Sequence, residues 1–330
     1  MKAIVLNGHG GPEVLELADV DAPVPGPDDV LVDVHHSALN RADVLQRRGG
    51  YPDPRRPSVE IPGLEYAGVV AAVGARVRDW SVGDEVMGIE AGGCYAEQLV
   101  TNARQVLPVP AGIAMADAAA IPEVFMTAWD ALVVQGGLTS GRWALVHAGG
   151  SGVGTAGIQL AKAIGAYIAV TCSAGKADAC RGLGADLVLE RSPADWPAAL
   201  TAGLREHGRT DGVDVVLDVI GGEEVNRNLA AVRPKGRIVQ VGLMGGGRTE
   251  VDLGLLLTKR VRWTGTVLRS RPTEEKVALS RRFAEEVLPL FTAGALHPVI
   301  DQRFPLADVA AAHERMEADA NVGKLLLDVR

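Results

Sequence analysis

Trp143-Ala144-Leu145-Val146-His147-Ala148-Gly149-Gly150-Ser151-Gly152-Val153-Gly154 decides the fold of this chain. An apolar run of strand length enters a glycine-rich turn, and residues 153–164 continue with the Ala, Ile and Leu spacing of a helix. Such a strand–turn–helix leaves backbone N–H groups free at the helix N-terminus, where a pyrophosphate can sit. Small residues also let the helix approach its strand. Aligned on the helix, the G-x-G-x-x-G positions are Gly149, Ser151 and Gly154, so a serine replaces the middle glycine. A literal match at Gly152, Gly154 and Gly157 would lie inside the helix and is read as accidental.

Downstream, apolar strands at 168–171, 187–189, 213–218 and 237–241 alternate with helices at 176–183, 196–206 and 223–231. Repeated βα alternation with nearly all-apolar strands predicts a parallel sheet covered on both faces. Residues 262–268 are expected to add an edge strand, and a helix over 124–134 to precede the sheet. The turns at 218–222 and 241–247 fall at the carboxyl ends of strands, where ligands bind in such sheets. The backbone groups of both turns are therefore candidates to position a nicotinamide, with the glycine turn at 149–154 holding the pyrophosphate of a dinucleotide.

The second strand separates the two nicotinamide cofactors. NAD sites place an acid about 20 residues past the turn, on the ribose hydroxyls. Here the strand ends Val170-Thr171-Cys172-Ser173-Ala174-Gly175-Lys176, with no acid. Ser173 and Lys176 suit the additional 2′-phosphate of NADP, so NADPH is the expected cofactor.

Residues 1–120 read differently. Short apolar runs at 2–6, 29–35, 66–73 and 95–100 are separated by Gly, Pro and Asp, which predicts a compact, curled β domain with one helix near 42–47. Helices at 273–288 and 306–317 and a strand at 324–329 close the chain, too little for a domain alone. The expectation is an α/β protein in which residues 1–122 and 269–330 form a substrate domain around an inserted cofactor domain, 123–268, with the chemistry in the cleft between them.

Composition narrows the function. With 330 residues and 47% hydrophobic content the chain can fill two cores. A formal charge of −8, from 33 basic and 41 acidic residues, argues against a nucleic-acid partner. No signal peptide or membrane span is legible, and three scattered cysteines make no disulfide framework, so a cytoplasmic setting without a membrane partner is expected. Neither HExxH nor CxxC occurs. His35 and His36 alternate across a strand and cannot readily share a metal, and His147 lies in a buried strand, so no metal site is expected.

Over nearly its whole length the sequence resembles the medium-chain, zinc-free quinone oxidoreductases, the zeta-crystallin-like branch of the alcohol dehydrogenase superfamily, and within it the p53-inducible group. The stretches that carry the likeness are 37–43, 46–51, 62–65, 118–122, 147–160, 242–247, 268–271 and 316–324. The resemblance implies a GroES-like catalytic domain, a Rossmann doubly wound cofactor domain, NADPH as hydride donor and a homodimer. In zinc-dependent relatives a cysteine stands in the place of Asn40 and a histidine in that of Leu64, so both ligands are replaced here. Tyr51, Asn40 and Thr127 match family positions near the nicotinamide, and Ser173, Lys176, Gly152, Val153, Gly242 and Leu243 match cofactor positions.

Losing the metal makes chemical sense. An alkoxide needs a Lewis acid, whereas a quinone is already electron-poor. The expected reaction is hydride transfer from NADPH to a small-molecule quinone, with Tyr51 or Asn40 donating to the quinone oxygen. Two alternatives stay open: reduction of the double bond of an enone or enal, and a non-catalytic NADPH-binding stress or structural role. No distinctive carbon acid is legible in the sequence, which favours the quinone.

Overall fold

Six segments, most of them apolar, align into one parallel sheet. In the computed structural model, which describes residues 1–191 and 196–330, the strands follow the order Leu187–Glu190, Tyr167–Cys172, Trp143–His147, Val213–Asp218, Val232–Gln240 and Arg262–Gly265. In chain order this is 3-2-1-4-5-6, with a switch point between the first and fourth strands. Every residue of Trp143–His147 and Val213–Asp218 is buried, as central strands covered on both faces require. The helices Gly152–Ala163, Trp196–Glu206 and Glu224–Ala231 supply cover, and Trp196, Leu200, Leu204 and Leu229 pack with Trp143, Leu145 and Val216 in one core.

The chain divides into two compact units. One comprises Met1–Met126 with Leu268–Arg330, the other Thr127–Val267. The division falls inside the helix Pro122–Trp129, which continues as a π-helical stretch, Asp130–Gln135.

The first unit is built on a curled, mainly antiparallel sheet. Asp29–Ala38 pairs with Glu65–Val73, which pairs with Glu85–Ile89, and Gln98–Asn102 also pairs with Asp29–Ala38. The C-terminal strand Lys324–Asp328 joins this sheet antiparallel to Asp29–Ala38, with Leu327 opposite Ser37. Ile300–Pro305 runs parallel beside it at the edge. Burial explains the return of the chain: Ile4, Leu39 and Val44 share one core with Val309, Met316, Leu325 and Leu327. Residues 300–305 and 253–259 were not expected as a strand and a helix. The first carries Asp301, Gln302 and Arg303, and the second exposes Leu253 and Leu257 while Leu255 and Leu256 pack against the core, so neither shows a clear burial period in its sequence.

Candidate active site

The glycine turn of the second unit is held open by its own backbone. Ala148 takes a left-handed φ of 58° and starts the turn. The Gly149 N–H donates to the Thr171 carbonyl (2.8 Å), fixing the turn to the neighbouring strand. Ser151 is the N-cap of the helix Gly152–Ala163, its Oγ accepting the Gly154 N–H at 3.0 Å. That serine therefore does a capping job and leaves the Gly152 and Val153 amides at the open end of the helix. A side chain on Gly149 would meet Val170 Cβ at 2.7 Å, and one on Gly154 would run into the Ala148 and Gly149 carbonyl oxygens. One on Gly150 would meet Lys176 Cδ at 2.6 Å.

This last contact places Lys176 directly beside the turn, its stem over Gly150, although 26 residues separate them. Ser173 is exposed at the start of the same loop. The acid missing from this strand has a counterpart next door, since Glu190 pairs in register with Cys172 and Arg191 donates its backbone N–H to the Cys172 carbonyl at 2.9 Å. The turns after the fourth and fifth strands interlock: Gly222 N–H bonds Gly246 O (3.0 Å) and Gly245 N–H bonds Ile220 O (2.7 Å). Gly242 lies against Val219, where a Cβ would sit 2.8 Å from the carbonyl oxygen, and Leu243 is exposed. Beneath the turns runs a buried relay: Thr171 Oγ1 to His147 Nδ1 (2.9 Å), His147 Nε2 to Asn228 Oδ1 (2.8 Å), and Asn228 Nδ2 to Asp218 Oδ2 (3.0 Å). His147 is thus structural, tying three strand ends and a helix together. A turn with close-packed glycines, free helix-end amides and a lysine alongside fits a dinucleotide phosphate.

The first unit contains a second polar centre. Glu65 and Lys324 are fully buried and 2.6 Å apart, though 259 residues separate them. Lys324 Nζ also donates to Leu39 O (2.6 Å) and Asn40 Oδ1 (2.8 Å), which uses all three of its hydrogens. Asn40 Nδ2 donates to Glu65 Oε1 at 2.9 Å, and Glu65 Oε2 accepts the Glu123 N–H at 2.9 Å. Asn40 was expected as a donor to a substrate oxygen. One N–H of its amide goes to Glu65 and its oxygen accepts from Lys324, so the side chain also holds that pair. Leu64, beside Glu65, is buried.

Asp43, in the first turn of the helix Arg41–Arg47, accepts from the Asn40 N–H (2.7 Å) and the Tyr95 hydroxyl (3.1 Å). Burial pushes its carboxyl up to about 6. Arg269 is pinned by three bonds, to Ala91 O (2.6 Å), Tyr51 O (2.7 Å) and Gln46 Oε1 (2.9 Å), with its guanidinium 4.9 Å from the centre of the Tyr51 ring. Burial is the largest influence on the Tyr51 phenol, pushing it up to about 12, and the nearby Glu123 adds to the rise. Among the described residues the Tyr51 hydroxyl has no hydrogen-bond partner. Thr127 lies one helical turn beyond Glu123 on Pro122–Trp129, at the start of the second unit, and is buried.

Glu65, Lys324, Arg269 and Glu123 were not singled out from the sequence as site residues. A charged residue at the head of an apolar strand, as in Lys324–Asp328, is the only sign that Lys324 left there. No group of His, Cys, Asp and Glu suited to a metal occurs among the described residues.

Residues 26–111 match the alcohol dehydrogenase GroES-like domain, and residues 152–285 match the zinc-binding dehydrogenase family. Over 99% of its length the chain is 30% identical to the synaptic vesicle membrane protein VAT-1 homolog of Rattus norvegicus, covering 84% of that protein. A solved NAD-dependent alcohol dehydrogenase superposes with a TM-score of 0.88 at 32% identity, all of both chains covered. Quinone oxidoreductase of Escherichia coli, solved with NADPH, gives 0.89 at 29% identity, again over the whole of both chains. The CurK enoyl reductase gives 0.87 at 27% identity, covering 100% of this chain and 99% of that one. A GroES-like unit joined to a Rossmann-type parallel sheet, with relatives of this identity along the full length, makes the chain an oxidoreductase of the medium-chain dehydrogenase/reductase family.

Proposed function

We propose that the chain is an NADPH-dependent quinone oxidoreductase that needs no metal, akin to the zeta-crystallin-like and p53-inducible quinone reductases. The observation that carries this reading is Tyr51, whose hydroxyl is without a partner among the described residues while its ring and carbonyl are both held by Arg269. A phenol pushed up to about 12 keeps its proton at neutral pH and has it to donate. Held in place, it offers a hydrogen bond to a quinone oxygen as negative charge develops there.

NADPH, when bound, supplies the hydride. Gly149, Gly150, Ser151, Gly152, Val153 and Gly154 receive its pyrophosphate, and Lys176 and Ser173 its 2′-phosphate. Gly242 and Leu243 flank the nicotinamide side, and Thr127 lies at the helix end that enters this unit. The preference for NADP is supported by Lys176 lying against the turn and by the relative solved with NADPH. Metal independence is supported by Asn40, whose amide is committed to Glu65 and Lys324, and by the apolar Leu64 beside them.

A homodimer is part of the proposal. The edge strand Arg262–Gly265 is exposed throughout, its own Trp263 included, and sheet edges of this kind invite pairing. We place the protein in the cytoplasm, and no helix among the described residues is long and apolar enough to cross a membrane.

The test is NADPH oxidation with 1,2-naphthoquinone and 9,10-phenanthrenequinone, repeated with NADH. Turnover with a clear preference for NADPH is expected, and Tyr51→Phe should lower kcat by about tenfold or more. Tight NADPH binding without turnover of either quinone would defeat the proposal, and unchanged turnover in Tyr51→Phe would remove the donor role.

A further inference from the structure

Cys172 and Cys180 bracket the loop that carries Ser173 and Lys176. Both are buried free thiols, one ending the strand Tyr167–Cys172 and the other within the helix Ala177–Gly182. They meet where the chain turns from strand into helix, and their thiols hydrogen-bond to each other. Cys180 also lies against the glycine turn, where a Cβ on Gly149 would sit 3.1 Å from its sulfur. Lys176, midway between the two cysteines, has its stem over Gly150 of the same turn. Dithiol, loop and turn are thus packed together inside the second unit. Packing alone accounts for a single buried cysteine, which behaves as a small hydrophobe. Two whose sulfurs meet have a further chemistry open to them.

We propose that Cys172 and Cys180 are a modification site, a dithiol that a peroxide oxidises to a disulfide, and that this disulfide loosens the grip of the Lys176 loop on the dinucleotide. The effect on the loop rests on the cofactor reading above; the oxidation does not. The two thiols are unlike. The hydrogen bond with Cys180 holds the Cys172 thiol below its usual range against the opposing effect of burial, and Arg181 and Lys176 help. The same bond, with burial, pushes the Cys180 thiol up. Cys172 is therefore the sulfur that carries a thiolate, and Cys180 the one that keeps its proton. Cys172 is 4% exposed and borders the exposed Ser173, whereas Cys180 is 0% exposed, so a small oxidant reaches Cys172 first.

The step balances. The Cys172 thiolate attacks one oxygen of hydrogen peroxide, the O–O bond breaks, and the hydroxide released takes up the proton that Cys172 had lost. The Cys180 sulfur then attacks the sulfenic sulfur, the S–S bond forms, the S–O bond breaks, and the departing hydroxide takes the Cys180 proton. Two thiols lose two electrons, one peroxide gains them, and two waters leave. An S–S bond is about 2.05 Å long, so the sulfurs must close in from hydrogen-bonding distance. The strand end is fixed, because Cys172 pairs in register with Glu190 and its carbonyl accepts the Arg191 N–H at 2.9 Å. The helix Ala177–Gly182, six residues long, is the part that gives. Its shift draws Cys180 away from Gly149 and carries Lys176, the residue before the helix, from its place over Gly150. In a reducing compartment such a disulfide is transient, as a sensor requires.

The experiment treats the full chain with hydrogen peroxide and digests it, unreduced, with trypsin, which cuts after Lys176 and so separates the two cysteines. Peptides 163–176 and 177–181 should appear joined, and dithiothreitol should release them. The thiol count in denaturant should fall from three to one, with Cys94 left free. Cys180→Ser should accumulate a sulfenic acid at Cys172 that dimedone traps, whereas Cys172→Ser should react far more slowly. Fluorescence titration should show NADPH affinity about tenfold weaker in the oxidised protein, the worth of one charge-assisted hydrogen bond. By linkage the same factor means that saturating NADPH raises the midpoint potential of the pair by about 30 mV. In the double variant Cys172→Ser/Cys180→Ser, peroxide should leave NADPH affinity unchanged. Absence of the joined peptides would overturn the proposal, as would equal NADPH affinity in the two forms or a peroxide effect that persists in the double variant. A reduced protein that fails to bind NADPH would instead defeat the cofactor reading and with it the effect on the loop, while joined peptides would still establish the dithiol.

Discussion

His313 is fully buried on the helix Val309–Glu317, and neither ring nitrogen has a hydrogen-bond partner among the described residues. Its ring meets Tyr95 edge-on at 6.2 Å, and burial with Arg47 nearby pushes it down to about 3. In the unfolded chain it titrates near 6.5. Between these values the unfolded state binds a proton that the folded state refuses, so stability present above pH 6.5 is lost as pH falls. At about 1.4 kcal/mol per unit, roughly 2 kcal/mol should be lost to this residue by pH 5. His313→Phe keeps a ring and removes the proton. Urea unfolding at pH 7.5 and pH 5 should show the variant losing about 2 kcal/mol less than wild type over that interval, and equal losses would contradict the assignment. At this scale the sequence was least informative. Lys324 and Glu65 meet across 259 residues of chain, which spacing cannot show.

At the scale of elements the sequence was readable wherever burial had a period. Trp143–His147, Val213–Asp218 and Trp196–Glu206 stand where apolar pattern placed them, and the helix expected near 42–47 is Arg41–Arg47. Val232–Gln240 begins earlier than its apolar run because Pro234 and Lys235, the latter at a φ of 61°, interrupt the pattern without ending the strand. The glycine turn offers a sharper test, since two spacings competed for it. A methyl on Gly154 would collide with the Ala148 and Gly149 carbonyl oxygens, which cannot rotate away. One on Gly157 would meet Leu132 Cδ1 and Val146 Cγ2 at 3.5 Å, ordinary contact. Gly154→Ala should therefore push the helix off its strand, costing about 1–3 kcal/mol and at least tenfold in NADPH affinity. Gly157→Ala should be neutral or stabilising by up to about 1 kcal/mol, from helix propensity alone. Calorimetry and fluorescence titration would check both, and equal sensitivity at the two glycines would favour the literal motif.

At the scale of the whole molecule the remaining question is how the sheet of the second unit ends. On one side Leu187–Glu190 is partly covered, whereas on the other Arg262–Gly265 has all four residues exposed. Trp263 is 39% exposed and Val267 44%, and the neighbouring helix Leu253–Lys259 leaves Leu253 61% and Leu257 72% exposed. An unpaired strand edge beside large exposed apolar side chains is a liability for a monomer. A two-fold axis beside this strand would set it antiparallel to its own copy, so that one self-complementary contact would cover both edges and bury the same apolar side chains twice. The acidic balance of the chain does not oppose this, because Arg260 and Arg262 bring positive charge to the edge itself. Sedimentation equilibrium at micromolar concentration should give about twice the chain mass. Thr266 donates its N–H to Gln240 O, so Thr264 turns the same way and the N–H of Gly265 faces the open edge. Gly265→Pro removes that N–H and stiffens the strand, and Trp263→Glu places a like charge at the same contact in both copies. The double variant should sediment as a monomer. Wild type at the single-chain mass, or a double variant that stays dimeric, would show that this edge is not where two copies meet.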